Sequence, residues 1–161
     1  MPPERRGHYN SLVAAEPEIE PIVRRVTPKD IIDLRHLVLR AGLPRESAIF
    51  EGDDDPDTTH FGAFAGEELV GCATILRNPL AGEPALQLRG MAVHPEWQQR
   101  GIGRRLLAAI DAAGRAAGID LLWCNARKPA TPFYRAHGWE IASEEFVVPT
   151  AGPHYKMIKR L

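Results

Sequence analysis

The segment His94–Leu107, with the sequence HPEWQQRGIGRRLL, constrains the fold of this chain more than any other. A turn and two glycines one residue apart stand between a strand-like run and the start of an apolar helical stripe. The first N–H groups of a helix have no partner inside the helix and carry the positive end of its dipole, so they favour an anion. Together with the nearby arginines, they predict a loop that binds phosphate.

Two common phosphate motifs do not fit this segment. A P-loop requires Lys followed by Ser or Thr after its second glycine, whereas two arginines follow Gly103. A dinucleotide-binding motif requires a third glycine at the position of Leu106, and it belongs in the first β–α unit of a domain. What remains is the pattern Gln98-x-x-Gly101-x-Gly103 between a strand and an amphipathic helix.

The stretches on either side predict the order of elements around this loop. Before it, PIVRRVT predicts a strand and TPKDIIDLRHLVLRAG a helix with Thr27 as its N-cap. The apolar face of that helix comprises Ile31, Leu34, Leu37 and Val38. HFGAFAGEELVGCATILRNP predicts a hairpin, and PALQLRGMAVHP a third strand with a bulge at Gly90. After the loop come a helix ending at Gly118, the buried strand DLLWCNA, a short helix in TPFYRAHGW and a final strand pair.

The acidic stretch EGDDDPDTTH is predicted to be a solvated loop. It contains several carboxylates, but it lacks the glycine and the terminal Glu at the spacing of a calcium loop. A run of acidic residues without that spacing is typical of an exposed surface.

Length, charge and cysteine content limit the class of protein. A chain of 161 residues favours one domain, and a formal net charge of -1 gives no general attraction to nucleic acid or anionic membranes. No apolar run is long enough to cross a bilayer. Cys72 and Cys124 lie in apolar stretches, so we expect buried thiols rather than a disulfide or metal site. Residues 1–18 have neither hydrophobic period nor the apolar core of a signal peptide, which predicts a flexible tail and a cytoplasmic protein.

With this order of elements, the chain resembles the GCN5-related N-acetyltransferases (GNAT) from about Ile19 to Leu161. The stretches LRGMAVHPEWQQRGIGRRLL and FYRAHGW carry the resemblance. It implies a single α/β domain, residues 19–161, with a mixed, mostly antiparallel sheet of six or seven strands flanked by helices. Two central strands of that sheet are expected to splay apart and hold coenzyme A.

The resemblance also implies which residues bind the coenzyme. The backbone of the MAV stretch would bind the pantetheine amides, and the N–H groups of the glycine-rich loop would bind the pyrophosphate, where glycines permit close approach. The implied residues are Met91, Ala92, Val93, Gln98, Gln99, Arg100, Gly101, Ile102, Gly103, Arg104, Asn125, Phe133 and Tyr134. Asn125 is displaced by two positions from the usual coenzyme-binding asparagine, and Arg127 stands in its place.

The catalytic residues follow the family pattern only in part. Tyr134 matches the tyrosine that can protonate the departing thiolate, although Trp139 replaces the usual phenylalanine after it. Many family members carry a glutamate base near the centre of the strand before the loop, where this chain has Arg89. Water, His154 or Glu145 is left to accept the proton from the amine.

The resemblance therefore implies an acetyl-CoA-dependent N-acetyltransferase that acts on a primary amine of a small molecule or peptide, with no metal. It further implies a homodimer. The missing strand carboxylate leaves a non-catalytic acyl-CoA sensor or interaction module as the alternative. A nucleic-acid module does not fit the near-neutral charge. The acidic stretch favours a cationic acceptor.

Overall fold

The computed structural model describes residues 19–161, so the predicted tail at residues 1–18 lies outside the described part. Its elements are β1 (Ile22–Val26), α1 (Pro28–Leu39), β2 (Thr59–Ala65), β3 (Glu68–Arg77), β4 (Leu86–Val93), α2 (Ile102–Ala116), β5 (Leu121–Arg127), α3 (Thr131–Ala136), β6 (Glu140–Ile141), β7 (Phe146–Val148) and β8 (Gly152–Arg160). The predicted order of strands and helices is confirmed.

One mixed sheet runs through the domain in the order β1-β2-β3-β4-β5-β8-β6, with β7 paired to β8. The pairing of β4 with β5 is parallel, and the other pairs are antiparallel. The sheet has eight strands rather than six or seven. The additional strand is β6, whose two residues are too few to show the alternation by which a strand is recognised.

The two long helices cover opposite faces of the sheet. Helix α2 buries Ile102, Leu106 and Ile110 in the larger core, whereas α1 buries Ile31 and Leu34 in a separate cluster. Within residues 19–161, no helix is long and apolar enough to cross a membrane.

One position on α1 differs from the predicted apolar face. Leu37 is 51% exposed, whereas Arg35 is fully buried. Arg35 lies four residues after Ile31 and so shares its side of the helix. The prediction of an inward Leu37 was wrong because the helix turns a charged residue, rather than that leucine, toward the sheet.

Strands β4 and β5 pair only at their beginnings. The register joins Leu86 to Leu122 and ends where Leu88 meets Cys124. Beyond this point β4 has a bulge, with Gly90 at a φ of +62°, and β5 continues with β8 as its partner. The predicted bulge and the predicted separation of the central strands are confirmed.

Candidate active site

A cavity of about 400 Å³ occupies the gap where β4 and β5 separate. Four of the predicted site residues line this cavity: Met91, Asn125, Tyr134 and His154. The end of α1, the loop after it and the turn between β7 and β8 complete the wall. The cavity therefore reaches from the end of α1, at Leu39, to Tyr134 on α3.

The glycine-rich loop presents unused backbone donors next to the gap. Within residues 19–161, no hydrogen bond is donated by the N–H groups of residues 99–104. Gly101 is the N-cap of α2 with φ +79°, and Gln99 also has a positive φ, of +61°. These left-handed residues turn successive N–H groups toward one side, as in other anion-binding loops. The loop thus fits a pyrophosphate. An added Cβ at Gly101 would have no side-chain atom of residues 19–161 closer than 3.5 Å.

The two glycines serve different purposes in the structure. At Gly101 the nearest side-chain atom to an added Cβ is 3.5 Å away, on Arg104, so its positive φ is the constraint. At Gly103 an added Cβ would lie 2.8 Å from Phe133 Cζ and 3.2 Å from Met91 Cε. Gly103 is therefore required for the packing of Phe133 over the first turn of α2.

The arginines of the loop differ in their partners. Arg105 forms an ion pair with Glu20 at 3.6 Å, and Arg100 lies over the ring of Trp97 at 4.9 Å. Arg104 is exposed and forms no ion pair with any residue from 19 to 161. Its guanidinium is therefore not neutralised by any residue from 19 to 161.

We expect the conformation of Gly101 to control coenzyme binding. Gly101→Val should weaken coenzyme A binding about tenfold or more, since a β-branched residue disfavours positive φ and forces the loop to rearrange. Gly101→Asn is the matched control, because asparagine tolerates this conformation. Calorimetric titration with coenzyme A and a thermal melt of each variant test this. Equal affinity for valine and glycine at this position would contradict a binding role for the loop.

Tyr134 lines the cavity and is 8% exposed. Its hydroxyl lies 3.7 Å from Met91 Sδ, and its ring meets Trp139 edge-on at 5.4 Å. Burial, together with the neighbouring Cys124, raises the pKa of the phenol above its usual range. Tyr134 therefore keeps its proton at neutral pH and can donate it.

His154 is buried at the side of the cavity formed by β8. Its Nδ1 lies 2.8 Å from the carbonyl oxygen of Gly152. A carbonyl can only accept, so the neutral tautomer that makes this hydrogen bond carries its proton on Nδ1 and its lone pair on Nε2. The other sequence candidate, Glu145, forms an ion pair with Lys128 at 3.1 Å and does not line the cavity.

The remaining residues predicted to bind the coenzyme differ in what they contact. His94 N–H donates to Val70 of β3 at 2.8 Å, so the alternation of the strand directs Val93 N–H toward the gap. Ala92 packs against α1, and Ile102 is buried in the larger core. Gln98 Nε2 lies 3.5 Å from Val93 O. Asn125 is exposed at the cavity wall.

A buried charge cluster beside the cavity was not predicted. Arg35 donates to Asp53 at 2.7 Å, to Ala48 O at 2.8 Å and to Thr74 Oγ1 at 2.9 Å. Asp53 is 4% exposed, so the prediction of a solvated acidic loop was wrong for this residue. The available signal was the charged Arg35 among the buried positions of α1, which requires a buried partner.

The separated parallel strands, the free N–H groups at the start of α2 and the buried phenol define a class of acyl-transfer protein that binds an acyl thioester of coenzyme A. Residues 29–139 match the family model described as the Acetyltransferase (GNAT) family, and the chain belongs to this family. It is an acetyl-CoA-dependent N-acetyltransferase. Among residues 19–161, no group of three His, Cys, Asp or Glu side chains is placed to hold a metal ion.

Individual relatives agree with this assignment. The uncharacterized N-acetyltransferase YitI of Bacillus subtilis is 29% identical over 142 residues, which are 86% of this chain and 95% of the relative. An aminoglycoside N(6')-acetyltransferase type 1 of Stenotrophomonas maltophilia is 33% identical over 128 residues, 73% of this chain and 82% of the relative. A crystal structure of aminoglycoside 6'-N-acetyltransferase complexed with coenzyme A has the same fold, with a TM-score of 0.70 and 17% identity over 86% of this chain and 96% of its own.

Proposed function

We propose that the chain transfers the acetyl group of acetyl-CoA to a primary amine of a small molecule or peptide by direct attack of the amine on the thioester. The observation that carries this proposal is the cavity between β4 and β5, which is lined by a buried phenol from α3 and a buried imidazole from β8 as well as by the separated strands. Acetyl-CoA supplies an acyl group that is already activated. The protein has only to position it, polarise its carbonyl and move protons.

The coenzyme-binding residues named from the sequence are proposed with roles that fit their positions. The N–H groups of residues 99–104 would hold the pyrophosphate, and the backbone of Met91–Val93 would bind the pantetheine arm as an added strand edge. Val93 N–H would donate to the thioester oxygen as negative charge grows on it. Tyr134 would donate its proton to the departing sulfur.

Direct attack is favoured over a covalent acetyl-enzyme because the thiol in the cavity is unreactive. Cys124 lines the gap, but burial raises the pKa of its thiol to about 12. The thiolate is the nucleophilic form of cysteine, so Cys124 is a poor acceptor at neutral pH. Cys72 is also buried, and burial raises the pKa of its thiol to about 12.

We propose His154 rather than Glu145 as the general base. The hydrogen bond from Nδ1 to Gly152 leaves Nε2 as the free acceptor of a ring in the cavity wall. Glu145 is held outside the cavity by Lys128. A water molecule between the amine and Nε2 would serve the same path.

Removal of the proposed base tests this function. His154→Ala should lower kcat/KM for the amine by about 10²-fold or more and leave the Kd for acetyl-CoA unchanged, because the ring acts on the amine. Glu145→Gln is the control and should keep the wild-type rate. Coenzyme A release during steady-state turnover is the readout. Equal rates for the alanine variant and the wild type would contradict His154 as the base and leave water as the proton acceptor.

A sensor that binds acyl-CoA without turnover is the second candidate, since Arg89 stands in place of the strand carboxylate. Tight coenzyme binding with no release of coenzyme A across amino acids, polyamines, aminoglycosides and peptides would favour it.

The domain limits 19–161, a cytoplasmic location and a homodimer belong to the transferase proposal. The two buried free thiols fit a reducing compartment.

A further inference from the structure

The wall of the active-site cavity is cationic. The described residues that line it include the three arginines Arg40, Arg89 and Arg127. No aspartate or glutamate is among these lining residues. An enclosed site strengthens the field of such charges relative to bulk water. These charges favour an anionic group over a cationic one in the cavity.

The nearest carboxylate does not balance these arginines. Asp53 lies 3.3 Å from Arg89, but it also accepts from the fully buried Arg35 at 2.7 Å. One negative charge is thus shared by two guanidinium groups. Arg89 Nε is buried and has no hydrogen-bond partner within residues 19–161.

The other two arginines meet at the end of α1. Arg40 and Arg127 both donate to the carbonyl oxygen of Leu39, at 3.0 and 3.1 Å. Neither forms an ion pair with any residue of the described chain. Arg40 also lies over the ring of Phe50, 5.0 Å from its centre. The helix terminus and the ring fix the direction of these guanidinium groups without neutralising them.

The electrostatics of Arg40 agree with this geometry. Partial burial lowers its pKa from the usual arginine value, and repulsion by Arg127 and Arg35 lowers it further. A charge that is repelled from two sides is stabilised when an anion enters.

We propose that the acceptor amine also carries a carboxylate, as an α-amino acid does, and that Arg40, Arg89 and Arg127 recognise that carboxylate. This inference rests on the proposed transferase function and specifies its substrate. The arginines line the same cavity as His154 and Tyr134. One small molecule can therefore place its carboxylate on the arginines and its amine toward His154. The cavity of about 400 Å³ would also hold the acetylated end of the coenzyme, which limits the acceptor to a small molecule.

The same charges disfavour the polycationic acceptors named for some relatives. An aminoglycoside or polyamine would place several ammonium groups against three arginines, and like charges in a partly enclosed site repel. The acidic stretch after α1 gives no compensation, because its exposed residues Asp54, Asp55 and Asp57 do not line the cavity. The arginines of the cavity thus favour an acceptor that carries a carboxylate over the cationic acceptor expected from the acidic stretch.

Matched acceptors test the inference on the full chain. Coenzyme A release is measured with leucine and leucinamide, with glutamate, and with spermidine and kanamycin, all compared at equal concentrations of free amine. We expect kcat/KM for leucine to exceed that for leucinamide by about ten- to a hundred-fold, as for a charge-assisted contact. Arg40→Gln should reduce this ratio severalfold without changing the Kd for acetyl-CoA, and Arg40→Lys should restore part of it. Arg45→Gln, on an exposed arginine paired with Asp33, should leave the ratio unchanged.

The outcomes separate this inference from the function on which it rests. Faster acetylation of leucinamide, spermidine or kanamycin would overturn the carboxylate proposal and leave the transferase intact. If no amine is acetylated, N-acetylleucine and N-acetylleucinamide are titrated calorimetrically into the coenzyme A complex. Binding of the carboxylate alone, lost in Arg40→Gln, would support the anionic site while the transferase fails. Absence of that preference would overturn the site itself.

Discussion

Replacing Tyr134 by phenylalanine is expected to lower kcat by about 10²- to 10⁴-fold, the usual contribution of a positioned general acid. The Kd for acetyl-CoA should stay at its wild-type value, because the hydroxyl is needed only when negative charge develops on sulfur. Fold stability should change little, since the one hydrogen bond of the hydroxyl within residues 19–161 is to Met91 Sδ, at 3.7 Å. Steady-state kinetics and calorimetric binding of acetyl-CoA measure the two effects separately.

Tyr155→Phe provides the matched control for that experiment. Tyr155 is half-buried on β8 and does not line the cavity, so its loss should leave kcat unchanged. A Tyr134→Phe enzyme that keeps the wild-type kcat, with chemistry as the slow step, would reduce Tyr134 to a packing residue. Because burial raises the pKa of Tyr134, the phenol stays protonated throughout the neutral range.

Asp53→Asn is expected to destabilise the fold by about 3–5 kcal/mol, the range for breaking a buried ion pair by removing one partner. The substitution would leave the guanidinium of Arg35 buried without its counter-charge. It would also weaken the hydrogen bond from Phe50 N–H, which is 2.9 Å long. Chemical denaturation at neutral pH measures the loss. Asp54→Asn, in the same loop but exposed, should change the free energy of unfolding little.

The effect of Asp53 should also depend on pH. Burial alone would raise the pKa of its carboxyl, but the hydrogen bonds from Arg35 and Phe50 outweigh burial and hold the pKa below its ordinary value. A depressed pKa contributes stability above the unfolded value and loses it as pH falls through the folded one. The difference between the wild type and Asp53→Asn should therefore shrink in acid. A difference that stays constant down to the lowest pH at which the protein is folded would contradict this.

The sequence predicts the elements around the proposed coenzyme site well. The requirements of that site are met by backbone and small residues in one continuous stretch, so the order of strand, bulge at Gly90, loop and helix can be read directly. The purpose of Gly103 is not predictable in that way. It depends on Phe133, which is close only after the chain has folded.

The arginine-lined part of the cavity depends on contacts between distant segments, and the sequence did not predict it. In the sequence, Asp53 cannot be told apart from the exposed aspartates next to it. Its burial follows from its ion pair with the buried Arg35. Arg40 and Arg127 come from α1 and β5 and meet at the carbonyl of Leu39. Neither local periodicity nor a motif brings them together, so the charge of the cavity is a property of the tertiary structure.

The central claim, direct transfer of acetyl from acetyl-CoA to an amine in the gap between β4 and β5, is tested most directly by mass spectrometry of rapidly quenched reactions. The full chain is mixed with acetyl-CoA and the fastest acceptor of the amine panel. We expect the N-acetylated amine to form mole for mole with free coenzyme A, while the protein mass stays unchanged at every time point. An acetylated protein that forms and decays ahead of the product, or coenzyme A binding without any acetylated amine, would contradict the claim.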